Sequence, residues 1–217
     1  MAAPSPRTRL RRLPKRGRYG TEVVHAVLDA GTICHLGYAS PDGPRVIPTL
    51  YGRDGDTLFV HGSAASRTLR EVGGGSLDVC ATVTIMDGIV LARSAFHHSM
   101  NYRSAYVVGA ASVVEDRAAK LAALETISDH IVPGRWAQVR PPTAKELRVT
   151  TVLALPIVEA SVKERSGPPG DDEEDLALDV WAGVVPLRLV ADSPVPDDLA
   201  ATRPHRPPPP AYARPLT

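Results

Sequence analysis

Hydrogen-bonding side chains are concentrated in residues 61–67, whose sequence is HGSAASR. The segment leaves a β-rich run, passes through small residues and enters a short helical pattern. Proteins hold a phosphate monoester with the N–H groups of a helix N-terminus, with hydroxyl groups and with a cation. Ser63, Ser66 and Arg67 supply these groups, so the segment is typical of a phosphate-binding turn. An equally good interpretation of this segment alone is that Ser66 caps the helix while Arg67 points into water.

A second polar group, HHSMNYRS at residues 97–104, directly precedes another β-rich run. So many donors at the start of a strand indicate a bound ligand. The adjacent His97 and His98 could ligate a metal, but neighbouring side chains of a strand point to opposite faces. No carboxylate or cysteine stands at a helical spacing that would complete such a site. We therefore predict a ligand site without a metal.

A third set of residues flanks the acidic, Pro/Gly-rich loop SGPPGDDEED at residues 166–175. Lys163 and Arg165 precede the loop, and Trp181 follows it. These side chains could bring positive charge and an aromatic face to a bound cofactor. The alternative is a pair of surface charges and a core tryptophan.

Most of the chain has the pattern of β-strands joined by tight turns. Asp-Gly pairs at residues 42–43, 54–55 and 87–88 favour hairpins or a break within a strand. Pro156 cannot donate to a strand ladder, which predicts an edge or bulged position for it within the run TTVLALPIVEASVKE. About six strands are predicted, at residues 32–40, 45–52, 57–62, 77–94, 102–116 and 150–164.

The helical patterns are few and short. Thr143 and Glu146 have the spacing of a capping box, in which each side chain bonds the backbone N–H of the other residue. Because the helices are inserted between strands and do not alternate with them, we expect an antiparallel barrel with added helices and not a βαβ sheet. The predicted helices cover residues 22–30, 66–72 and 118–131, and a fourth begins at Thr143.

The two ends of the chain differ in composition from its centre. The start is rich in Arg and Pro without periodicity, and residues 203–217 are too proline-dense for a helix or a central strand. We therefore predict a basic disordered arm at residues 1–18, one folded domain at residues 19–195 and a Pro-rich disordered tail at residues 196–217.

Composition argues against several classes of function. The 217 residues carry 25 Lys and Arg against 24 Asp and Glu, so the chain lacks the broad positive field of nucleic-acid binders. No apolar run approaches the roughly 18 residues of a bilayer-spanning helix, and no signal-peptide segment follows the basic start. Cys34 and Cys80 lie in strand-like runs, which favours buried free thiols in a reducing compartment. We expect a cytoplasmic protein that binds neither membrane nor nucleic acid.

Four segments of the chain form one pattern: PRVIPTLYGRDGDTLFVHGSAASRTLREV, SMNYRSAYVVGAASVVED, RPPTAKEL and DVWAGVVPL. Together they resemble the pyridoxamine 5'-phosphate oxidase-like split barrels that bind FMN, and within them the flavin-nucleotide-binding branch, which is related to the nitroimidazole-resistance proteins. The likeness covers roughly residues 8–195. It implies a mainly β fold, a six-stranded antiparallel split β-barrel with added helices. It also implies a homodimer that holds FMN in clefts at the subunit interface.

The resemblance implies a role for the polar groups described above. One set of residues would lie along the isoalloxazine ring, a second would hold the phosphate and a third would approach the flavin. Many relatives carry lysine in the phosphate turn, whereas Arg67 is the sole cation of this turn, so a bidentate grip on the phosphate is expected. Lys163 and Trp181 are added to the cofactor-binding set from their position beside the acidic loop. The residues implied by the resemblance are Arg45, Val46, Ile47, Pro48 and Thr49, then His61, Gly62, Ser63, Ser66 and Arg67, and then Asn101, Tyr102, Arg103 and Ser104.

These residues predict an FMN-dependent oxidoreductase that passes hydride or electrons to a small-molecule substrate. The flavin would carry the redox chemistry, and the protein would orient it and exclude water. Tyr102, Arg103 and Trp181 are candidates for a donor or a flat surface near the ring, and no catalytic residue is assigned. The segment DVWAGVVPLRLV lacks the arginine and histidine motif of the true pyridoxamine-phosphate oxidases, which argues against vitamin B6 oxidation.

Two alternatives stay open. The first is a non-catalytic protein that binds or senses flavin or haem, with His61, His97 or His98 as a haem ligand. The second is a reductase that uses the deazaflavin F420, as some split-barrel relatives do. The short Ser and Arg cradle suits FMN better than the long polyglutamate tail of F420.

Overall fold

Nine strands form one antiparallel sheet within residues 5–63 and 75–198, which are the residues that the computed structural model describes. Each strand is long enough to bury alternate side chains, except the short first and last ones. The strands are β1 (Gly17–Arg18), β2 (Ile33–Ser40), β3 (Gly43–Asp54), β4 (Thr57–Ser63), β5 (Ser76–Leu91), β6 (Ser99–Val113), β7 (Thr150–Pro156), β8 (Glu159–Arg165) and β9 (Gly183–Pro186).

Six of these strands close into a barrel. β6 pairs with β7, β7 with β4, β4 with β3, β3 with β2 and β2 with β5, and β5 pairs again with β6. The prediction of a mainly β, six-stranded antiparallel barrel is confirmed. β8 extends the sheet from β6, β1 from β8 and β9 from β5.

Three α-helices lie outside the strands in the described ranges: α1 (Thr21–Ala30), α2 (Arg117–Ile131) and α3 (Ala144–Val149). The predicted capping box at the start of α3 is present, with the Thr143 N–H donating to Glu146 Oε2 at 2.7 Å and the Glu146 N–H donating to Thr143 Oγ1 at 3.3 Å. The helix predicted at residues 66–72 lies outside the described residues. None of the helices in the part of the chain described here is long and apolar enough to cross a membrane.

Pro156 divides the predicted run 150–164 into two strands. The prediction of one strand there is wrong, because β7 ends at Pro156 and β8 begins at Glu159. The Ile157 N–H donates to the carbonyl of Asp56 at 2.8 Å, outside the strand ladders. After this interruption the chain no longer pairs with β4, and β8 pairs with β6 along residues 102–108. The break predicted at Asp87-Gly88 is confirmed as a register shift between Met86 and Gly88 in the β5–β6 ladder.

Residues 5–18 fold against the sheet, contrary to the disorder expected from their composition. Thr8 is 4% exposed, and the Ser5 hydroxyl donates to a carboxylate oxygen of Glu159. Arg7 Nη2 donates to Asp78 Oδ1 at 2.9 Å, and β1 pairs with β8. These contacts join residues far apart along the chain, which is why local composition did not reveal them. Residues 199–217, within the predicted tail, lie outside the described residues.

Gly52 lets α2 lie directly on β3. A Cβ atom at residue 52 would stand 2.7 Å from both the Ile127 nitrogen and the Thr126 oxygen of α2. We expect Gly52→Ala to lower the free energy of unfolding by about 1–3 kcal/mol, because the helix must move off the sheet. Denaturant titration measures the loss. Gly109→Ala is the matched strand control, since its Cβ would make an ordinary 3.5 Å contact with Leu155. An equal loss in both variants would contradict the steric explanation.

Candidate functional site

A split opens in the barrel wall between β3 and β4. Their ladder runs from Asp54 opposite Thr57 to Tyr51 opposite Val60 and stops there. Continued in the same register, it would place Leu50, Thr49 and Pro48 opposite residues 61–63. Instead, residues 61–63 pair with β7 alone, and residues 43–50 of β3 pair with β2 alone. The two strands therefore diverge, and each presents one unpaired backbone edge toward the split among the described residues.

The β3 border of the split consists of the residues predicted to lie along a flavin ring. Val46 is 66% exposed, Ile47 and Pro48 are also exposed, and Arg45 and Thr49 are half-buried. The border therefore combines apolar side chains with backbone N–H and C=O groups that β2 does not use on this edge. Arg45 adds a guanidinium whose Nε is buried and makes no hydrogen bond within the described ranges. A planar heteroaromatic group with donors and acceptors along its edge suits such a border.

The β4 border carries the start of the predicted phosphate turn. His61, Gly62 and Ser63 end β4, and they face the β3 residues across the split. Ser66 and Arg67, the hydroxyl and cation predicted to hold the phosphate, lie outside the described residues. The structure thus brings the strand predicted to contact the ring and the beginning of the predicted turn together, as one site requires.

His61 is a partly buried imidazole at the edge of the split. Its Nδ1 is buried and has no hydrogen-bond partner within residues 5–63 and 75–198. Burial lowers the pKa of His61 below its usual value of 6.5, because the charged form loses its hydration. A neutral imidazole with an open nitrogen can accept a hydrogen bond from a ligand or bind a metal.

The lowered pKa of His61 predicts that the stability of the folded chain depends on pH. Since the unfolded chain binds a proton more readily than folded His61, stability is lost as the pH falls below about 6.5 through the lower folded pKa. We expect NMR titration to place the His61 imidazole below pH 6.5, with His61→Gln used for assignment. His97 is the internal control, because its bond to Asp172 raises its pKa and it must titrate above 6.5. A His61 signal that titrates with or above that of His97 would refute the assignment.

The predicted cofactor-binding residues 101–104 lie on β6, and their side chains point to both of its faces. Ala105 and Val107 point into the core, so alternation places Tyr102 and Ser104 on the outer face. Ser104 Oγ lies 3.0 Å from Thr84 Oγ1 of β5, and Lys163 of β8 is opposite Ser104. Tyr102, Ser104 and Lys163 therefore share one outer surface.

Asn101 and Arg103 point the other way and bind protein groups. Arg103 makes two hydrogen bonds to the Asp87 carboxylate, at 3.0 and 2.7 Å, and this pairing raises its pKa. Asn101 is 8% exposed, donates to the carbonyl of Gly167 at 3.1 Å and accepts from Arg165. These two residues hold the bulge of β5 and the start of the acidic loop in place. In the described residues they are positioning groups and not open ligand donors.

The remaining predicted residues lie around the acidic loop. Trp181 is 66% exposed, so the alternative of a core tryptophan is wrong. His97 Nε2 lies 2.9 Å from Asp172 Oδ2, and His98 Nδ1 accepts from the Ala92 N–H at 3.1 Å. Among the residues that the structure describes, no three His, Cys, Asp or Glu side chains converge as a metal site.

The family profile described as pyridoxamine 5'-phosphate oxidase matches residues 21–164. The chain belongs to this family. It is 42% identical to the flavocytochrome Anf3 from Azotobacter vinelandii, over 95% of each chain and with a TM-score of 0.87. It is 35% identical to the FAD- and haem-binding protein from Mycobacterium smegmatis, over 89% of this chain and 94% of that one, with a TM-score of 0.83.

A further comparison, at lower sequence identity, bears only on the fold. A candidate 5-nitroimidazole antibiotic resistance protein from Bacteroides thetaiotaomicron is 22% identical over 68% of this chain and 85% of that one, with a TM-score of 0.57. The split barrel is therefore shared with the nitroimidazole-resistance branch that the sequence resembles. No curated protein matches the chain significantly.

Sequence reasoning missed two sets of polar groups in this member of the oxidase family. Arg117, Lys120 and Arg148 come from two helices and line one cavity beside the end of β4. Asp171 accepts from both the backbone N–H and the guanidinium of Arg93, at 2.7 and 2.8 Å, which holds the acidic loop against the end of β5. Neither set has a local signature, because each is assembled from segments at least 28 residues apart.

Proposed function

We propose that this chain is a flavin-dependent redox protein that holds the isoalloxazine ring in the split between β3 and β4 and also binds a haem. The divergence of the two strands after Tyr51 and Val60 is the observation that carries the flavin site. It leaves an apolar strand edge beside the start of the predicted phosphate turn, and a flavin needs a surface for its ring and donors for its phosphate close together in space. The relatives named as a flavocytochrome and as an FAD- and haem-binding protein support both groups.

The side chains present fit a flavin. The edge of β3 offers backbone donors and acceptors to the polar rim of the ring, and Val46 and Ile47 offer apolar contact. The buried Arg45 Nε, which has no hydrogen-bond partner within residues 5–63 and 75–198, belongs to the β3 border of this split and supplies a polar atom for the flavin. When bound, the flavin supplies hydride or electron transfer, and the protein orients the ring and excludes water. FMN and FAD share the ring, the ribityl chain and the first phosphate, so the split suits the half common to both.

His61 is the best of the three candidate haem ligands. A histidine that ligates iron presents a free nitrogen lone pair. His98 uses the Nδ1 lone pair for the Ala92 N–H, which leaves no lone pair on Nε2. His97 keeps Nδ1 open, but its contact with Asp172 raises its pKa and so favours the protonated form, which cannot ligate iron. Of these three, only His61 makes no side-chain hydrogen bond within the described parts of the chain, and burial lowers its pKa, which favours the form that can bind iron.

We also propose that the protein is a homodimer. An apolar strip crosses the outer surface of β3, β2 and β5, where Leu50 lies opposite Ile33. Ile33, Val46, Leu50 and Met86 are 41–66% exposed in the single chain. Such a strip on a sheet face beside the flavin split is suited to a second copy, which would bury it and cover the cofactor. A small-molecule substrate would then reach the ring from the remaining open side.

The absorbance spectrum of the purified protein, followed by mass spectrometry of the released chromophores, tests the proposal. The expected results are a broad visible flavin band together with a sharp Soret band, and a flavin and a haem among the released molecules. Bleaching of the flavin by NAD(P)H would identify an enzyme, whereas bleaching by dithionite alone would favour a passive binder or sensor. F420, or a protein that refuses added flavin, would overturn the proposal.

A further inference from the structure

A basic segment, residues 9–16, leads into β1, the strand at one end of the sheet order. Five cations lie in this segment: Arg9, Arg11, Arg12, Lys15 and Arg16. The first four are exposed, and none of the five side chains makes a hydrogen bond or an ion pair within residues 5–63 and 75–198. The cations on either side of the segment differ, because Arg7 binds Asp78 and Arg18 binds Glu164. The basic segment therefore presents positive charge that the described part of the chain does not neutralise.

An acidic segment, residues 173–181, leads into β9, the strand at the other end of the sheet order. Glu173, Glu174 and Asp179 are exposed, and their carboxylates make no hydrogen bond or ion pair in the part of the chain that the structure describes. Four apolar side chains of the same segment are 48–66% exposed: Leu176, Leu178, Val180 and Trp181. The acidic segment thus combines free negative charge with an apolar surface.

The acidic segment is anchored at both of its ends. Before it, Asp171 accepts two hydrogen bonds from Arg93, and His97 Nε2 lies 2.9 Å from Asp172 Oδ2. After it, β9 pairs with β5. A segment fixed in this way cannot fold its apolar side chains into the core of its own chain. Such an exposed apolar strip with a charged rim is typical of a surface that binds another protein.

Both segments border the outer sheet face that we propose as the dimer contact. Met86 of β5 stands opposite Tyr102 of β6, which stands opposite Arg165 of β8, so the three form one row across that face. β9 joins β5 two residues after Met86, and β1 joins β8 at Lys163, two residues before Arg165. Burial and the nearby charge of Arg16 lower the pKa of Arg165, so the basic segment reaches the row. The row therefore has the acidic segment at one end and the basic segment at the other.

We propose that the acidic segment of each subunit packs on the basic segment of the other subunit, which gives the homodimer two symmetric clasps. The inference rests on the proposed homodimer and specifies which surfaces meet and in which orientation. In a two-fold dimer, residue i of one copy contacts residue j of the other, and j contacts i. A two-fold axis along the strands exchanges the two ends of the row, so each acidic end meets a basic end. Leu13, 45% exposed in the basic segment, supplies apolar contact for the acidic segment.

A second copy of the chain accounts for both segments together. A nucleic acid or an anionic membrane would attract the basic segment, but the acidic segment on the same face would repel it. The chain as a whole carries 25 Lys and Arg against 24 Asp and Glu, so its charge is divided between surfaces and has no dominant sign. Surfaces of opposite charge on one chain are complementary in a pair of identical chains.

Reversing the charge of each segment separately tests the clasp. The basic-reversed chain carries Arg9→Glu, Arg11→Glu and Arg12→Glu. The acidic-reversed chain carries Glu173→Arg, Glu174→Arg and Asp179→Arg. The dissociation constant of the dimer is measured for each full chain by analytical ultracentrifugation at low salt. We expect each reversed chain to dimerise at least about tenfold more weakly than the native chain, because the symmetry repeats every lost ion pair.

Mixing the two reversed chains distinguishes a contact between subunits from a contact within one chain. Each reversed chain carries two segments of like sign, so it repels its own copy and attracts the other variant. We expect the equimolar mixture to form a heterodimer whose dissociation constant lies within about threefold of the native value. A contact within one chain would stay broken in the mixture and would recover only in a chain that carries all six substitutions.

The matched control reverses three exposed cations on other elements of the structure. Arg117→Glu, Lys145→Glu and Arg148→Glu lie on α2 and α3 and change the net charge as much as the basic reversal does. We expect this chain to dimerise like the native one, within about threefold. Equal weakening in the control would show an effect of net charge alone and would overturn the clasp.

The outcomes separate this inference from the proposed homodimer. Weaker dimers of both reversed chains, restored by mixing, support the clasp. A native dimer that neither reversal weakens, or a weakening that mixing does not restore, would overturn the clasp and leave the homodimer standing. The same holds if the basic reversal leaves the dimer intact but abolishes binding to anionic lipid vesicles, which would assign the basic segment to a membrane surface. A native chain that sediments as a monomer would overturn both.

Discussion

Tyr51→Ala is expected to lower the free energy of unfolding by about 3–5 kcal/mol, the range for truncating a buried aromatic residue. The Tyr51 side chain is fully buried, and its hydroxyl donates to the Leu28 carbonyl at the end of α1. Its ring lies 4.6 Å from that of His130 on α2, and His130 Nε2 is 2.8 Å from the Gly31 carbonyl. Tyr51 thus joins both long helices to β3 at the last residue pair before the split. Denaturant titration measures the loss.

Tyr51→Phe separates the contribution of the hydroxyl from that of the ring, and Phe96→Ala is the exposed aromatic control. Tyr51→Phe keeps the ring and removes the donor, so the Leu28 carbonyl loses its partner and we expect a loss of about 1–2 kcal/mol. Phe96→Ala truncates an aromatic residue that is 90% exposed and is expected to change stability by less than about 0.5 kcal/mol. If Tyr51→Ala were no more harmful than Phe96→Ala, the packing described for β3, α1 and α2 would be wrong.

Arg67→Ala is expected to weaken flavin binding by about 1.5–3 kcal/mol, which is roughly 10- to 150-fold in the dissociation constant. Arg67 lies outside the described residues, and the prediction depends on its place four residues after Ser63, where β4 ends beside the split. The physical reason is the loss of a guanidinium from a phosphate that carries charge and accepts several hydrogen bonds. Fluorescence titration of the flavin-free protein measures the change.

Arg67→Lys and Arg70→Ala are the controls for this prediction. Lysine keeps the charge but not the two parallel donors, so Arg67→Lys should restore part of the affinity. Arg70 follows one helical turn later in the predicted helix, and its loss should have a much smaller effect. Unchanged flavin affinity in Arg67→Ala, or equal losses in both alanine variants, would remove Arg67 from the phosphate site.

The local features of the chain were predictable because they depend on neighbouring residues. The Asp-Gly turns, the bulge at Asp87 and the capping box of Thr143 and Glu146 all appear where the sequence places them. Alternating apolar residues in β2, β5 and β6 predict strands with one buried face for the same reason. The candidate flavin residues on β3 and at the end of β4 were found from motifs, and the structure brings them to opposite borders of one split.

The tertiary structure alone decided which of these groups remain available to a ligand. Asn101 and Arg103 look like ligand donors in the sequence. In the structure, Asn101 is hydrogen-bonded to Arg165 and Gly167, and Arg103 is hydrogen-bonded to Asp87. The packed arm at residues 5–18 likewise depends on Glu159 and Asp78, which lie at least 71 residues away.

Strand pairing explains the division between what the sequence determined and what it left to the fold. The composition, turns and period-two pattern of this chain determine which segments become strands, because those properties are local. The point where β3 and β4 part, the lowered pKa of His61 and the cavity that Arg117 and Arg148 both line are results of long-range pairing and burial. Such contacts form between segments whose spacing along the chain carries no periodic signal, so only the folded chain reveals the site they build.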